Sequence, residues 1–227
     1  RQDPAYSMAV LEAAQKAGAA CLVLCDTNGG TMPGEIFETV KQVKQAVSAP
    51  IGIHCHNDAG CAEANSILAV QAGAAQVQGT LLGFGERCGN ANLSTLIPSL
   101  QMKLGYRCIP PENLHNLTQC ARAVGEAANV VLDNGMPYVG RSAFAHKGGM
   151  HIDGVLKVPA SFEHMDPSAV GNSRSLLISE AAGRAAVSRV LGTDGKDPST
   201  AEILRLVKEQ EHQGYQYEYA AASLQML

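Results

Sequence analysis

The sequence contains no tryptophan, and aromatic residues make up only 4% of its 227 residues. All-β sandwiches normally use more aromatic side chains, so an α/β enzyme rich in alanine, glycine and valine is favoured. An excess of one charge is also lacking, because 17 lysines and arginines stand against 21 aspartates and glutamates. This balance argues against a nucleic-acid partner.

No apolar run reaches the ~18 residues of a membrane-spanning helix, so no membrane partner is expected. The seven cysteines form no C-x-x-C pair, which argues against zinc-knuckle spacing. Reduced thiols and a cytoplasmic location are therefore predicted. The start of the chain has neither an apolar signal segment nor an initiator methionine, and we expect a segment upstream of Arg1.

Three strand-like segments, each followed by a helical pattern, occupy the first half of the chain, at residues 21–25, 51–56 and 76–81. The first is a continuous apolar run, which is typical of parallel strands buried on both faces, and the other two repeat the same strand–helix plan. Their spacing is that of βαβ units, which predicts a barrel or a doubly wound sheet with its site at the carboxyl ends of the strands. After Pro110 and Pro111 the pattern becomes mainly helical. We therefore predict one domain over residues 1–107 and a second region over 108–227.

His54 and His56 are the sharpest candidates for chemistry. Side chains alternate along a strand, so both imidazoles face the same way and can reach one metal ion. Asn57 and Asp58 strengthen this interpretation, because nearby oxygen atoms orient metal-bound imidazoles. From the H-x-H spacing alone, a metal site and a packed pair of histidines are about equally open.

Two loops after predicted strands are further candidates. The loop at residues 83–90 is rich in glycine, but its spacing fits neither a dinucleotide fingerprint nor a P-loop. Its glycines could bring backbone amides close to a ligand, with a tight turn as the favoured alternative. The loop at residues 26–30 could bind a carboxylate or could serve turn formation alone.

Residues 143–154 read as an irregular loop that carries polar side chains. His151 and Asp153, two residues apart in an extended segment, could form an oriented acid/base pair. A surface loop with scattered polar residues is the alternative.

Four motifs occur in order along the chain: L-C-D-T-N-G-G at residues 24–30, H-C-H-N-D at 54–58, G-E-R-C-G-N at 85–90 and A-H-K-G-G at 145–149. The residues at 162–167, 170–172 and 182–184 continue the series. Together they resemble the 2-isopropylmalate, homocitrate and citramalate synthase family of metal-dependent TIM barrels, most closely the (R)-citramalate synthase branch.

The resemblance implies both a fold and a reaction. The chain would supply strands six to eight, the carboxyl-terminal part of a (β/α)8 barrel, followed by a mainly helical accessory region. Family members join acetyl-CoA to a 2-oxo acid, and pyruvate would give (R)-citramalate for isoleucine biosynthesis. The alternatives are a 2-isopropylmalate synthase of leucine biosynthesis, a homocitrate synthase, a carbon–carbon lyase or aldolase of the same superfamily, and an inactive fragment that needs a partner chain. Because the family's D-x-T-L-R-D-G motif is absent, we expect residues 1–227 alone to be inactive.

The resemblance also implies residue roles. A divalent metal (Mg, Mn or Zn) would be bound by His54, His56 and Asn90. Thr27 would contact the carboxylate of the 2-oxo acid. Acetyl-CoA would lie near the loop after the third strand, at Gly83, Gly85, Glu86 and Gly89. His151, with Asp153, would act in catalysis on the neighbouring subunit of a homodimer.

Overall fold

The computed structural model describes residues 3–178, 187–188, 192 and 198–226. It contains two compact units, Arg1–Val131 and Leu132–Leu227. The domain boundary predicted between residues 107 and 108 stays a prediction. The sequence pattern over residues 179–191 predicts a helix, but this segment, with the motif at 182–184, lies almost entirely outside the described residues.

The first unit is a parallel three-stranded sheet with helices between its strands. The elements are α1 (Pro4–Lys16), β1 (Leu22–Asp26), α2 (Pro33–Ala46), β2 (Ile51–Cys55), α3 (Ala62–Ala72), β3 (Gln76–Gln78), α4 (Leu93–Pro98) and α5 (Leu117–Ala127). The strands lie in the order β1-β2-β3, with Cys25 opposite His54 and His54 opposite Gln78. The α/β class expected from the sequence is confirmed.

Strand β2 shows how the sheet divides its side chains between two faces. Ile51, Ile53 and Cys55 are buried in a core that also contains Val40 of α2. Because side chains alternate along a strand, His54 faces away from that helix layer. The core thus fixes both the register of β2 and the direction of its histidine.

The second unit contains β4 (Ala145–His146), α6 (Gly149–Lys157), β5 (Ser175–Leu176), α7 (Pro198–His212) and α8 (Ala221–Gln225). Strands β4 and β5 pair in parallel. The core of this unit is formed by Ile152, Ile178, Val187, Val207, Tyr217 and Leu224.

Helix α6 corrects the expectation of an irregular loop over residues 143–154. Ile152 and Val155 are fully buried and lie three residues apart, which is the spacing of one helix face. Burial of these two side chains outweighs the low helix propensity of the glycines around them. Within the described part of the chain, no helix is both long and apolar enough to cross a bilayer.

Candidate functional site

The loops that follow β1, β2 and β3 meet at one edge of the sheet, because parallel strands place their carboxyl ends together. Backbone hydrogen bonds join these loops. The Asn57 amide donates to the Gly89 carbonyl over 2.9 Å, and the Ala59 amide donates to the Gly29 carbonyl over 3.0 Å. The loop after β2 is therefore held to the loops on both sides of it.

His54 and His56 lie on the same side of this edge and are both half-buried. Their Nε2 atoms are 3.4 Å apart, and their rings meet edge to face with centroids 5.2 Å apart. Burial, and secondarily the neighbouring His56, lower the pKa of His54. Its neutral form, the one that can bind a metal, is thereby favoured.

Asn90 is brought to the histidines by a backbone bridge with His56. Its side-chain amide donates to the Phe84 carbonyl over 2.9 Å, which fixes the orientation of the amide. The side-chain oxygen of Asn90 is buried and has no hydrogen-bond partner, as is true of Nδ1 in each histidine. A buried acceptor without a partner costs about 1–3 kcal/mol, so an atom that could satisfy it is expected here.

The separation of the two histidine nitrogens fits a divalent cation. Two nitrogen ligands about 2.1 Å from a metal lie roughly 3.0–3.5 Å apart in octahedral or tetrahedral geometry, and the Nε2 separation of 3.4 Å falls in this range. Among the residues that the structure describes, no group of three His, Cys, Asp or Glu side chains is placed to hold a metal. The histidines and the amide oxygen would thus form part of a ligand set.

Thr27 follows β1 and is exposed. It lines an open pocket of about 1150 Å³ together with Asp26, Asn28, Asp58 and Arg87. Asp26 shapes the loop, because its carboxylate accepts hydrogen bonds from the backbone N–H of Thr31 over 3.2 Å and from the Thr31 hydroxyl over 2.6 Å. Turn chemistry is therefore present in this loop, and it leaves Thr27 open to the pocket.

The glycine-rich loop folds tightly around Asn90. A Cβ at Gly85 would lie 2.4 Å from the Asn90 amide nitrogen, and one at Gly89 would lie 2.0 Å from the Gly83 carbonyl oxygen. Gly83 and Gly89 also have φ values of 73° and 88°. The glycines are thus required by the turn itself, while Glu86 extends into solvent with 87% of its side chain exposed.

Arg87 and Asp58 form a contact that the sequence did not indicate. Arg87 Nε donates to Asp58 Oδ1 over 2.7 Å, and its Nη2 donates to Asp58 Oδ2 over 3.0 Å and to the Thr27 carbonyl over 2.7 Å. The hydrogen bond from Arg87 lowers the pKa of Asp58, and the carboxylate raises the pKa of Arg87. The sequence features that could have indicated this contact are the charged Arg87 inside a glycine-rich loop and the acidic Asp58 after the H-x-H motif.

His151 lies on α6 of the second unit, where its ring packs on Phe162 with centroids 4.7 Å apart. The expected geometry of the His151–Asp153 pair is wrong. A helix turns by about 100° per residue, so side chains two residues apart point in different directions. Asp153 instead accepts a hydrogen bond from Lys157 over 2.7 Å. The catalytic role of His151 stays a prediction.

A second contact missed from the sequence is a buried network around Glu163, whose side chain is 3% exposed. Its carboxylate accepts hydrogen bonds from Arg174 Nε and Nη2 at 2.6 and 2.5 Å and lies 3.0 Å from His146 Nε2. The hydrogen bonds from Arg174 are the main cause of a lowered pKa of Glu163. Burial raises this pKa and the contact with His146 lowers it, so that the net shift is downward. The network joins β4 to the residue before β5.

Two family models match the chain: HMGL-like over residues 1–124 and homocitrate synthase post-HMGL domain-like over residues 138–215. An (R)-citramalate synthase of Synechocystis sp. is 49% identical over 240 residues, which cover 100% of this chain and 44% of that protein. The (R)-citramalate synthase of Aquifex aeolicus is 50% identical over 233 residues, with the same coverage of 100% and 44%. A probable 2-isopropylmalate synthase of Methanosarcina acetivorans is 36% identical over 234 residues, 98% of this chain and 45% of that protein.

The chain thus spans less than half the length of the curated relatives it matches. The family resemblance drawn from the ordered motifs is confirmed. Because the first family model covers more than half of its residues, the chain belongs to the HMGL-like family.

Proposed function

We propose that the protein carrying this chain is an acyltransferase that condenses acetyl-CoA with pyruvate to give (R)-citramalate, an entry to isoleucine biosynthesis. The observation that carries the proposal is the level of similarity over the whole chain. Identity is 42–50% to five (R)-citramalate synthases but 36–38% to three probable 2-isopropylmalate synthases. A 2-isopropylmalate synthase is therefore the second candidate.

We infer that His54, His56 and Asn90 hold a divalent cation: Mg, Mn or Zn. Two facing imidazole nitrogens and a buried amide oxygen without a partner support this assignment. A cation bound there would polarise the ketone carbonyl of a 2-oxo acid. The lowered pKa of His54, caused mainly by burial, favours its neutral form, and the hydrogen bond to the Phe84 carbonyl fixes the orientation of the Asn90 amide.

The remaining roles follow from the family resemblance. Thr27 would orient the pyruvate carboxylate from the loop after β1. The loop of Gly83, Gly85, Glu86 and Gly89 would lie along acetyl-CoA. In the reaction, a base removes a methyl proton from acetyl-CoA, the resulting enolate forms a bond to the ketone carbon, and water cleaves the thioester to release CoA. His151 would move a proton in this sequence.

We further infer that β1, β2 and β3 are strands six to eight of a barrel. Both outer strands of the described three-stranded sheet have an edge that another strand could pair with, which supports this assignment. A homodimer, in which His151 acts on the neighbouring subunit, and a cytoplasmic location are proposed with it. Mixing His151→Ala subunits with His54→Ala subunits should restore part of the activity. Full subunit exchange without any recovery would contradict the shared site.

The test of the proposed reaction is CoA release by the full polypeptide that contains residues 1–227. With Mn²⁺ and acetyl-CoA, kcat/KM for pyruvate should exceed that for 2-oxoisovalerate by at least about tenfold, since pocket size discriminates the extra carbons. Chiral chromatography should identify the product as (R)-citramalate. A preference for 2-oxoisovalerate would favour the second candidate. Carbon–carbon cleavage of a hydroxyacyl-CoA, without condensation and without CoA release, would instead indicate a lyase.

A further inference from the structure

One arginine side chain connects three loops at the edge of the sheet. Arg87 belongs to the loop after β3, its guanidinium binds both carboxylate oxygens of Asp58 after β2, and it also binds the Thr27 carbonyl after β1. The planar guanidinium matches a carboxylate in this two-bonded geometry, which a lysine cannot reproduce. The contact therefore fixes distances and angles between the loops.

The backbone around this contact is adapted to it. Arg87 has a φ of 55°, in the left-handed region that few side chains other than glycine and asparagine adopt. Gly29 has a φ of 65°, and a Cβ there would lie 2.3 Å from Asp58 Oδ2. The loop after β1 thus approaches Asp58 as closely as a glycine allows.

Stability alone accounts poorly for this arrangement. The side chains of Arg87 and Asp58 are 42% and 25% exposed, and ion pairs open to solvent contribute little to stability. Each connected loop, however, carries a candidate site residue close by: Thr27 itself, His56 two residues before Asp58, and Asn90 three residues after Arg87.

The links between the loops differ in kind. The His56–Asn90 bridge and the bond from Asn57 to Gly89 hold the loop after β2 to the loop after β3 through backbone atoms. The loop after β1 is also held through backbone atoms, because the Asp26 and Gly29 carbonyls, on either side of Thr27, accept from N–H groups of residues 56 and 59. The Thr27 carbonyl between them accepts from Arg87. Loss of the guanidinium should therefore displace Thr27 more than it displaces the histidines and Asn90, whose links do not involve Arg87.

We propose that Arg87 and Asp58 form a positioning pair that sets the separation between Thr27 and the site of His54, His56 and Asn90. At this separation, one 2-oxo acid could place its carboxylate at Thr27 and its ketone oxygen at the cation site. This inference rests on the proposed function. Arg87 would determine the affinity for the 2-oxo acid, whereas the affinity for the metal would depend on the loops after β2 and β3, which backbone hydrogen bonds hold together.

The test is Arg87→Lys in the full polypeptide, which keeps the charge and removes the two-bonded geometry. Calorimetry on the Mn²⁺-loaded protein should show pyruvate binding weakened at least about tenfold, because small displacements of binding groups are costly. The Kd for Mn²⁺ should change by less than about threefold, and in turnover the KM for pyruvate should rise more than kcat falls. Arg205→Lys is the matched control, since Arg205 binds both oxygens of Glu202 at an exposed site.

A second set of variants tests whether Arg87 and Asp58 act as one unit. Arg87→Met, Asp58→Asn and the double variant should all weaken pyruvate binding by a similar factor, because two residues that act as one unit are not additive. Wild-type pyruvate affinity in a folded Arg87→Lys protein, or effects that multiply in the double variant, would overturn the positioning pair while leaving the proposed reaction intact. A wild-type protein that neither binds pyruvate nor releases CoA would overturn both.

Discussion

Replacement of Glu163 by glutamine is expected to loosen the second unit at neutral pH. The carboxylate is buried and accepts two hydrogen bonds from Arg174, at 2.6 and 2.5 Å, besides its contact with His146. Hydrogen bonds to charged groups contribute about 1.5–3 kcal/mol each. The NH2 group of glutamine is a donor and would face one of the N–H groups that the carboxylate now accepts from. Because the Arg174 side chain is 34% exposed, water recovers part of the loss. We expect a net cost of about 2 kcal/mol.

The cost should depend on pH in a defined direction. Arg174 holds the pKa of Glu163 below its ordinary value, so the folded protein binds this proton less tightly than the unfolded chain does. The stabilisation is therefore complete above the ordinary glutamate pKa of about 4.3 and is lost as the pH falls through the lower pKa of the folded state. Wild type and Glu163→Gln should differ most near neutral pH and converge in acid.

Amide hydrogen exchange measures this effect where the network acts. The amides of Ser175 and Leu177 donate to the carbonyls of Phe144 and His146 across the β4–β5 pair. A loss of about 2 kcal/mol corresponds to roughly 30-fold lower protection of these amides. Glu202→Gln, which removes an exposed partner of Arg205, is the control and should change protection little. Equal effects of the two variants, or a difference that persists unchanged in acid, would refute the reasoning.

Two further predictions concern single positions. Gly154→Ala should lower the free energy of unfolding by about 1–3 kcal/mol, because a Cβ at Gly154 would lie 2.2 Å from the Phe162 ring. Gly34→Ala, where the structure leaves open space, is the control, and equal effects of the two variants in denaturant titrations would contradict this prediction. Burial raises the pKa of Cys55 to about 12. Iodoacetamide at pH 8 should therefore leave Cys55 unmodified while it reacts with the exposed Cys25. If mass spectrometry finds both thiols labelled equally fast, this prediction is wrong.

The part of the fold that sequence reasoning captured is the part set by local burial patterns. A continuous apolar run predicted β1, the repeated strand–helix plan predicted β2, and the two-residue period of a strand placed His54 and His56 on one side. The third strand is shorter than the predicted span of residues 76–81, since β3 ends at Gln78. A Cβ at Gly79 would lie 2.4 Å from the Ala91 carbonyl, so the returning loop occupies the space beside this position.

The parts that were missed depend on partners distant in the sequence. Arg87 and Asp58 are 29 residues apart, and the loop pattern around Arg87 served only to reject a dinucleotide fingerprint. Helix α6 forms in a segment rich in glycine and histidine because Ile152 on its apolar face packs into the core of the second unit. The Arg87–Asp58 contact leaves no periodic signal, and the buried residues Ile152 and Val155 give α6 only one helical repeat, so tertiary structure decides both features.

The central claim is that His54 and His56 bind one divalent cation in the active site. Pulsed electron paramagnetic resonance of the Mn²⁺-loaded full polypeptide measures this directly, since coupling to imidazole nitrogen counts the histidine ligands. We predict two histidine nitrogens in the wild type, one in His54→Ala, and two in His115→Ala, which changes an exposed histidine. Bound Mn²⁺ without nitrogen coupling, or coupling that His54→Ala leaves unchanged, would contradict the account.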